Sequence, residues 1–385
     1  MSAGLTAAGV VVLAFNLRIA TGEIPPVLPD LPLGDVGKSL LVTIPVLCFS
    51  LAAFAGPSIR TLLGEERALF VMVATLFVGV ALRPVGPVWS LFAGTVLCGL
   101  AVAVMNVMMP GIVRRRFPRH IGEMTAAYTM ALSIGAGLAA GFTIPIRTAL
   151  GGSLEWALGI WALPAAVALV VWIPQLRLAR PTAQVSGFAM GLLGDRLAWL
   201  ITIYFGLLSM VFYILLSWLP AIYRAKGTDP STAGAILGVV TAVGIVGNFA
   251  APIVASRLHD QRAVVWATSG LTITGLIGIL VAPAQTALVW ATILGVGTGG
   301  AFSIALLLLA SGNRDAASAA RLSSMALGLG YLFAATGPFV AGLVHAASRN
   351  WQLPLIMTIG LSAVQLVAGL RAVHSPVVEG STTVR

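Results

Sequence analysis

The stretch AFNLRIATGEIPPVLPD, residues 14–30, places Asn16, Arg18 and Glu23 inside an otherwise apolar segment and follows them with Pro25 and Pro26. The segment, about residues 6–28, matches the roughly 20 residues that a helix needs to cross a bilayer. An arginine at the centre of such a helix costs roughly 2.5–3.5 kcal/mol on insertion scales, so it must face a partner or a wet cavity. A hydrophobic crossing that keeps a guanidinium and a carboxylate is therefore the place to look for function.

The rest of the chain supports the membrane reading. Of 385 residues, 58% are hydrophobic and 9% charged, with mean hydropathy +1.00. Soluble domains hold about 25% charged residues. A surface this apolar adheres to itself in water. The first basic residue, Arg18, lies within the first apolar run, whereas a secretory signal begins with a basic region. The first segment therefore reads as a retained helix.

Apolar runs place spans at about 6–28, 39–60, 67–84, 87–112, 121–146, 155–174, 197–223, 232–255, 263–282, 286–310, 319–345 and 352–372. With both termini cytoplasmic, the inner loops hold fifteen of the 22 Lys and Arg, among them Arg114, Arg115, Arg116 and Arg119. The outer loops hold six: Lys38, Arg83, Arg147, Arg224, Lys226 and Arg349, with Arg18 left within a span. The positive-inside rule then fixes the orientation. It also explains the net charge of +10 without nucleic acid. Residues 1–174 form one six-helix bundle, 175–196 a cytoplasmic linker and 197–385 a second bundle. Such pseudo-symmetric halves are common in secondary transporters, with the substrate site between them near the midplane. Tryptophans such as Trp89, Trp156, Trp266 and Trp351 fall near span ends, as interfacial anchors do.

Cys48 and Cys98 lie in apolar segments and read as buried thiols. No metal spacing or disulfide framework is present, and no cofactor is implied. The four histidines, His120, His259, His345 and His374, fall in loops or at span ends, which argues against an intramembrane enzyme. No G-x-x-x-x-G-K-[ST] loop appears, so ATP is not the driving force.

Arg18 lies about twelve residues into its span, roughly 18 Å along a helix, a depth that strains snorkelling to the interface. Its planar fork suits bidentate binding of an anionic or strongly dipolar solute. Glu23 is the carboxylate placed well within a span and is a candidate proton carrier. The alternative sets it at the outer mouth, solvated or balancing Arg18. On one straight helix the two point about 140° apart, but the prolines bend the chain after Glu23. Asn106, one turn before Pro110, contacts substrate or holds helices together. Asn16 orders the turn below Arg18, and Asn248 stays open. Tyr128, Tyr213 and Tyr331 fall mid-span in helices five, seven and eleven. They either pack within the bundle or present rings to a planar substrate.

The opening NLRIATGEIPPVLPDL resembles that of the cyanate/nitroimidazole-type transporters of the major facilitator superfamily. Further similar stretches are 106-NVMMPGIVRRRFP-118, 122-GEMTAAYTMALSIGAGLAAG-141, 205-FGLLSMVFYILLSWLP-220, 295-GVGTGGAFSIALLLL-309 and 321-RLSSMALGLGYLFAATGPFVAGLVH-345. The resemblance implies an all-α membrane protein of the major facilitator fold, with twelve transmembrane helices in two six-helix bundles and alternating access. It implies traffic in small, often anionic or nitroaromatic molecules, and a cavity wall shaped by the run before Tyr331. Where the family carries glutamines in spans seven, eight, ten and eleven, this chain has Leu208, Ala242, Thr298 and Leu327. That makes the expected cavity less polar and leans the solute towards a nitroaromatic over a compact ion. The loops 56-GPSIRTLLGEER-67 and 256-SRLHDQR-262 resemble the superfamily's cytoplasmic gating motif, with Arg60 near Glu65 or Glu66 and Asp260 near Arg257 or Arg262 as gating pairs, or as solvated loop charges.

The expectation is a monomeric secondary transporter in a bacterial cytoplasmic (inner) membrane. It carries a small organic anion or dipolar/nitroaromatic solute by proton symport, with Arg18, Asn106, Tyr128, Tyr213 and Tyr331 for substrate and Glu23 for the proton. The alternative is a proton-driven efflux antiporter for a drug or metabolite.

Overall fold

A computed structural model describes residues 3–178, 192, 194–258, 260–311 and 316–374, with side chains described there except at 3, 54–61, 122, 178, 310–311, 316–321 and 374. The expected linker 175–196 and the side chain of Arg60 lie largely or wholly outside these described residues. The described residues are helical, with no strand among them.

The helices are α1 (Ala3–Gly22), α2 (Ile24–Val27), α3 (Asp35–Leu63), α4 (Glu65–Leu82), α5 (Val88–Arg116), α6 (Ile121–Ala149), α7 (Leu154–Gly159), α8 (Ala162–Trp172), α9 (Arg196–Ala225), α10 (Pro230–Arg257), α11 (Arg262–Val281), α12 (Ala287–Ser311), α13 (Ala316–Ser348) and α14 (Gln352–His374). α1, α2 and a 3₁₀ turn at Leu28–Asp30 make one crossing, and α7 with α8 makes another. Among the described residues, eleven segments are long and apolar enough to cross a membrane. α4 is the twelfth: its 18 residues span roughly 27 Å, and Glu65, Glu66 and Arg67 gather in its first turn. The twelve spans read from the sequence are all present, most of them longer at their ends than the apolar runs alone indicate.

Local chemistry sets the boundaries. Gly64 at φ 74 lets α3 turn directly into α4, a conformation that costs glycine little. Arg114, Arg115 and Arg116 close α5, where cations favour the negative end of the helix dipole. α10 opens on Pro230, and the Asp229 carboxylate accepts the Thr232 amide at 2.9 Å, a side-chain N-cap. Hydrogen bonds from the Thr232 side chain and amide hold the Asp229 carboxyl below the usual aspartate range. Within the apolar helices, Thr95, Thr143, Thr202, Thr272 and Thr358 each donate to the carbonyl four residues back, at 2.6–2.9 Å. Those hydroxyls are satisfied inside their own helix.

The chain divides into two compact units. One holds α1–α8 with Leu219–Arg224 at the end of α9 and Thr228–Gly238 at the start of α10. The other holds the rest of α9 and α10 with α11–α14. Within the first unit α1 packs on α6, and α3 and α4 both pack on α5. Small residues let backbones approach: a Cβ on Gly22 would stand 3.2 Å from the Ala136 carbonyl oxygen, and one on Gly94 would stand 2.9 Å from the Arg83 side chain. In the second unit α11 packs on α12 and α14, and Gly206 meets Gly330 where α9 crosses α13. Lipid tails are as apolar as leucine, so this close fit, more than a hydrophobic drive, holds such helices together.

Candidate functional site

The first crossing breaks at Glu23. Pro25 and Pro26 lack the N–H groups that would continue the ladder to the Thr21 and Gly22 carbonyls. α1 therefore ends at Gly22, and α2 restarts at Ile24 with Glu23 as its N-cap residue. A discontinuous helix leaves polar backbone at membrane depth, which is tolerated where protein or a cavity covers it.

Arg83 provides that cover. Its Nη1 donates to the Ala20 carbonyl at 2.8 Å and to Glu23 Oε1. Both side chains are fully enclosed. The pairing corrects the sequence expectation in two ways. Arg83 is not an outer-loop cation but the buried cap of α4, and the counter-charge of Glu23 is Arg83. Three polar atoms of the pair, Glu23 Oε2 and Arg83 Nε and Nη2, are buried without a hydrogen-bond partner.

Arg18 is half-buried one turn before the break, and its carbonyl accepts Thr21 Oγ1 at 3.2 Å. Asn16 is buried and donates to the Val12 carbonyl at 2.9 Å, so its amide is satisfied within α1. Asn106 on α5 and Tyr128 on α6 are half-buried in the same unit.

The second unit brings Tyr213 and Tyr331 together. Their ring centroids are 6.3 Å apart. Phe205 meets Tyr331 edge-on at 5.3 Å, Phe302 lies 6.3 Å from Phe205, and Phe212 lies 5.4 Å from Tyr213. Five rings from α9, α12 and α13 thus make one cluster, whose tilted and T-shaped contacts are those aromatic quadrupoles prefer. The sequence singled out the two tyrosines but not the phenylalanines, which look like ordinary apolar filling until the helices are assembled.

Of the gating candidates, Asp260 is exposed and its carboxylate accepts the Arg262 amide at 2.9 Å. The Arg60 side chain lies outside the described residues. Glu65 and Glu66 are buried at the start of α4 and are held by α5: Arg115 Nη2 lies 2.8 Å from Glu65 Oε2 and 2.6 Å from Glu66 Oε1, and Arg116 also pairs with Glu66. Trp172 adds a hydrogen bond from Nε1 to the Glu66 carbonyl at 3.0 Å. The sequence did not single out Arg115 and Arg116 beyond their orienting charge.

Residues 6–335 match the family model for the Major Facilitator Superfamily. The chain is 33% identical to the uncharacterized transporter YycB of Bacillus subtilis (strain 168) over 94% of its length and 91% of the relative's. It is 30% identical to the 2-nitroimidazole transporter of Escherichia coli (strain K12), over 95% and 94% of the two chains. It is 28% identical to the cyanate transport protein CynX of the same organism, over 92% and 95%. A solved D-xylose–proton symporter shares the fold, with a TM-score of 0.73 at 12% identity over 98% of both chains. A bacterial homologue of the human lysosomal transporter Spinster also matches, with a TM-score of 0.73 at 13% identity over 96% of both. The chain belongs to the Major Facilitator Superfamily and is a multi-pass membrane transporter, not an enzyme.

Proposed function

We propose that this transporter moves a small organic anion or a dipolar, nitroaromatic solute across the cytoplasmic membrane by proton-coupled symport. Its termini lie in the cytoplasm, and it works as a monomer. The observation that carries the reading is the break in the first crossing, with Arg18 on one side and Glu23 held by Arg83 on the other. A buried ion pair with unpartnered atoms is an expensive arrangement, and one that a proton can rearrange. When Glu23 takes up a proton its attraction for Arg83 falls and the guanidinium regains hydrogen-bonding capacity. Arg18 supplies the fork for the anionic or nitro end of the solute. Asn106 and Tyr128 contribute polar contacts from the same unit, and Tyr213 and Tyr331 offer ring faces and hydroxyls in the other. Arg60 and Asp260 take part in gating. The names of the two Escherichia coli relatives support a small, polar solute.

Proton-driven efflux is the second reading, favoured by the aromatic cluster of the second unit. Purified protein in liposomes separates the two. An imposed pH gradient, acidic outside, is expected to drive accumulation of 2-nitroimidazole or cyanate. Glu23→Gln is expected to abolish that response while solute counterflow persists. Accumulation with the same pH dependence in Glu23→Gln removes Glu23 from the coupling. Accumulation only with the opposite gradient selects efflux.

A further inference from the structure

A second charged cluster lies at the far end of the first unit from the Arg114–Arg116 run. α6 begins just after that run and extends 29 residues to Ala149, roughly 43 Å. There Asp30, ending the 3₁₀ turn that follows α2, accepts two guanidiniums. Arg147 Nη1 lies 2.6 Å from Oδ2, and Arg224 Nη2 lies 2.7 Å from Oδ1. The three side chains keep about a quarter of their surface exposed. Lys38 adds a third cation, donating to the Pro29 carbonyl at 2.8 Å. Glu155, the other acid near Arg147, is exposed and accepts Ser153 Oγ at 2.8 Å, so water screens its charge.

One carboxylate thus bridges two arginines, each oxygen accepting a charge-assisted hydrogen bond from one guanidinium. Two further features point to an occupant other than Asp30. Arg224 Nη1 is enclosed without a hydrogen-bond partner. A pocket of about 340 Å³ opens beside the cluster, lined by Asp30, Arg147, Thr148, Gly151, Gly152 and Pro230. Arg147 Nε donates to the Gly152 carbonyl at 3.0 Å, which fixes its fork against the pocket wall.

We propose that Asp30, Arg147 and Arg224 form an anion-capture site, in which a small carboxylate takes the place of Asp30 on the two guanidiniums. Asp30 is the built-in competitor: it keeps the arginines paired when no ligand is present and yields them to an anion of matching shape. Arg224 lies in Leu219–Arg224, the end of α9 that belongs to the first unit with Asp30 and Arg147.

The site is tested by binding alone, so its failure is separable from failure of the transport reading. Full-length protein in detergent is titrated calorimetrically with sodium benzoate at constant ionic strength, with neutral benzamide as control. Benzoate is expected to bind and benzamide not. Asp30→Asn is expected to tighten benzoate about tenfold or more by removing the competing charge, while Arg147→Gln and Arg224→Gln weaken it by about tenfold. An unchanged or weakened affinity in folded Asp30→Asn overturns the proposal and makes the cluster structural. If Asp30→Asn does not fold, Arg147→Lys and Arg224→Lys decide, since each keeps its charge and loses the fork. Several-fold weaker binding in both supports the site, and unchanged binding overturns it. Benzoate binding that responds to Arg18→Ala but to neither arginine variant also overturns it.

Discussion

Glu23 and Arg83, 60 residues apart in the chain, form an ion pair with both side chains fully enclosed. Removing one member leaves the other charge buried without compensation, a loss of about 3–5 kcal/mol. Glu23→Gln and Arg83→Gln are each expected to lower stability by that order in a thermal or denaturant titration of purified protein. The double variant is expected to lose clearly less than the sum, because it leaves no orphaned charge. Additive losses would mean that the pair is not coupled as the geometry indicates.

Arg18 is argued to act through the shape of its guanidinium as well as its charge. Arg18→Ala is expected to lower kcat/KM for an anionic solute at least tenfold, about 1.4 kcal/mol. Arg18→Lys is expected to recover only part of the loss, because an ammonium cannot make the two parallel hydrogen bonds of the fork. Initial-rate uptake into liposomes over a range of solute concentrations measures both. Normal transport by both variants would falsify the role given to Arg18.

The fold was legible because length and hydropathy suffice for it: α5, α9 and α12 stand out as apolar runs that could be little else. The site was legible only in part. Arg18 and Glu23 are visible because a charge within an apolar span is conspicuous. Arg83 is not, because a lone arginine at the very end of a span, just before Pro84, reads as an outer-loop residue under the positive-inside rule. Only the packing of α4 beside the broken end of α1 turns it inward. The same holds for Phe205 and Phe302. Aromatic residues in apolar helices carry no sign of which rings they will meet, and that depends on how α9, α12 and α13 cross.

Gly330 tests whether the ring cluster of the second unit is set by helix approach. A Cβ there would come within 2.7 Å of Phe205 Cδ1 and 3.4 Å of the Gly206 amide nitrogen. Gly330→Ala is expected to push Phe205 away from Tyr331 and to weaken uptake of a nitroaromatic several-fold. Tyr331→Phe, which keeps the edge-to-face contact worth about 0.5–1.5 kcal/mol, is expected to do less harm than Tyr331→Ala. Competition of 2-nitroimidazole against labelled solute ranks the three variants. If Tyr331→Ala transports as the parent does, the cluster is packing alone.

The acids at the start of α4 depend on two arginines that partly replace one another. Glu65 and Glu66 are buried, with side chains 3% and 2% exposed; Arg115 pairs with both, and Arg116 pairs with Glu66. The helix N-terminus offers a carboxylate about 0.3–1 kcal/mol, too little to hold two buried charges unaided. Arg116→Gln is therefore expected to cost little, since Arg115 still serves both acids. Arg115→Gln costs more, because it takes a cation from both acids at once. The double variant is expected to lose about 3 kcal/mol or more, beyond the sum of the singles. Adding Glu66→Gln to the double variant is expected to restore part of that loss, because the remaining burden is uncompensated negative charge. Midpoints of thermal unfolding across the four variants provide the measurement. If the two single effects simply add, or if Glu66→Gln worsens the double variant, the arginines act on the fold by some route other than neutralising these acids.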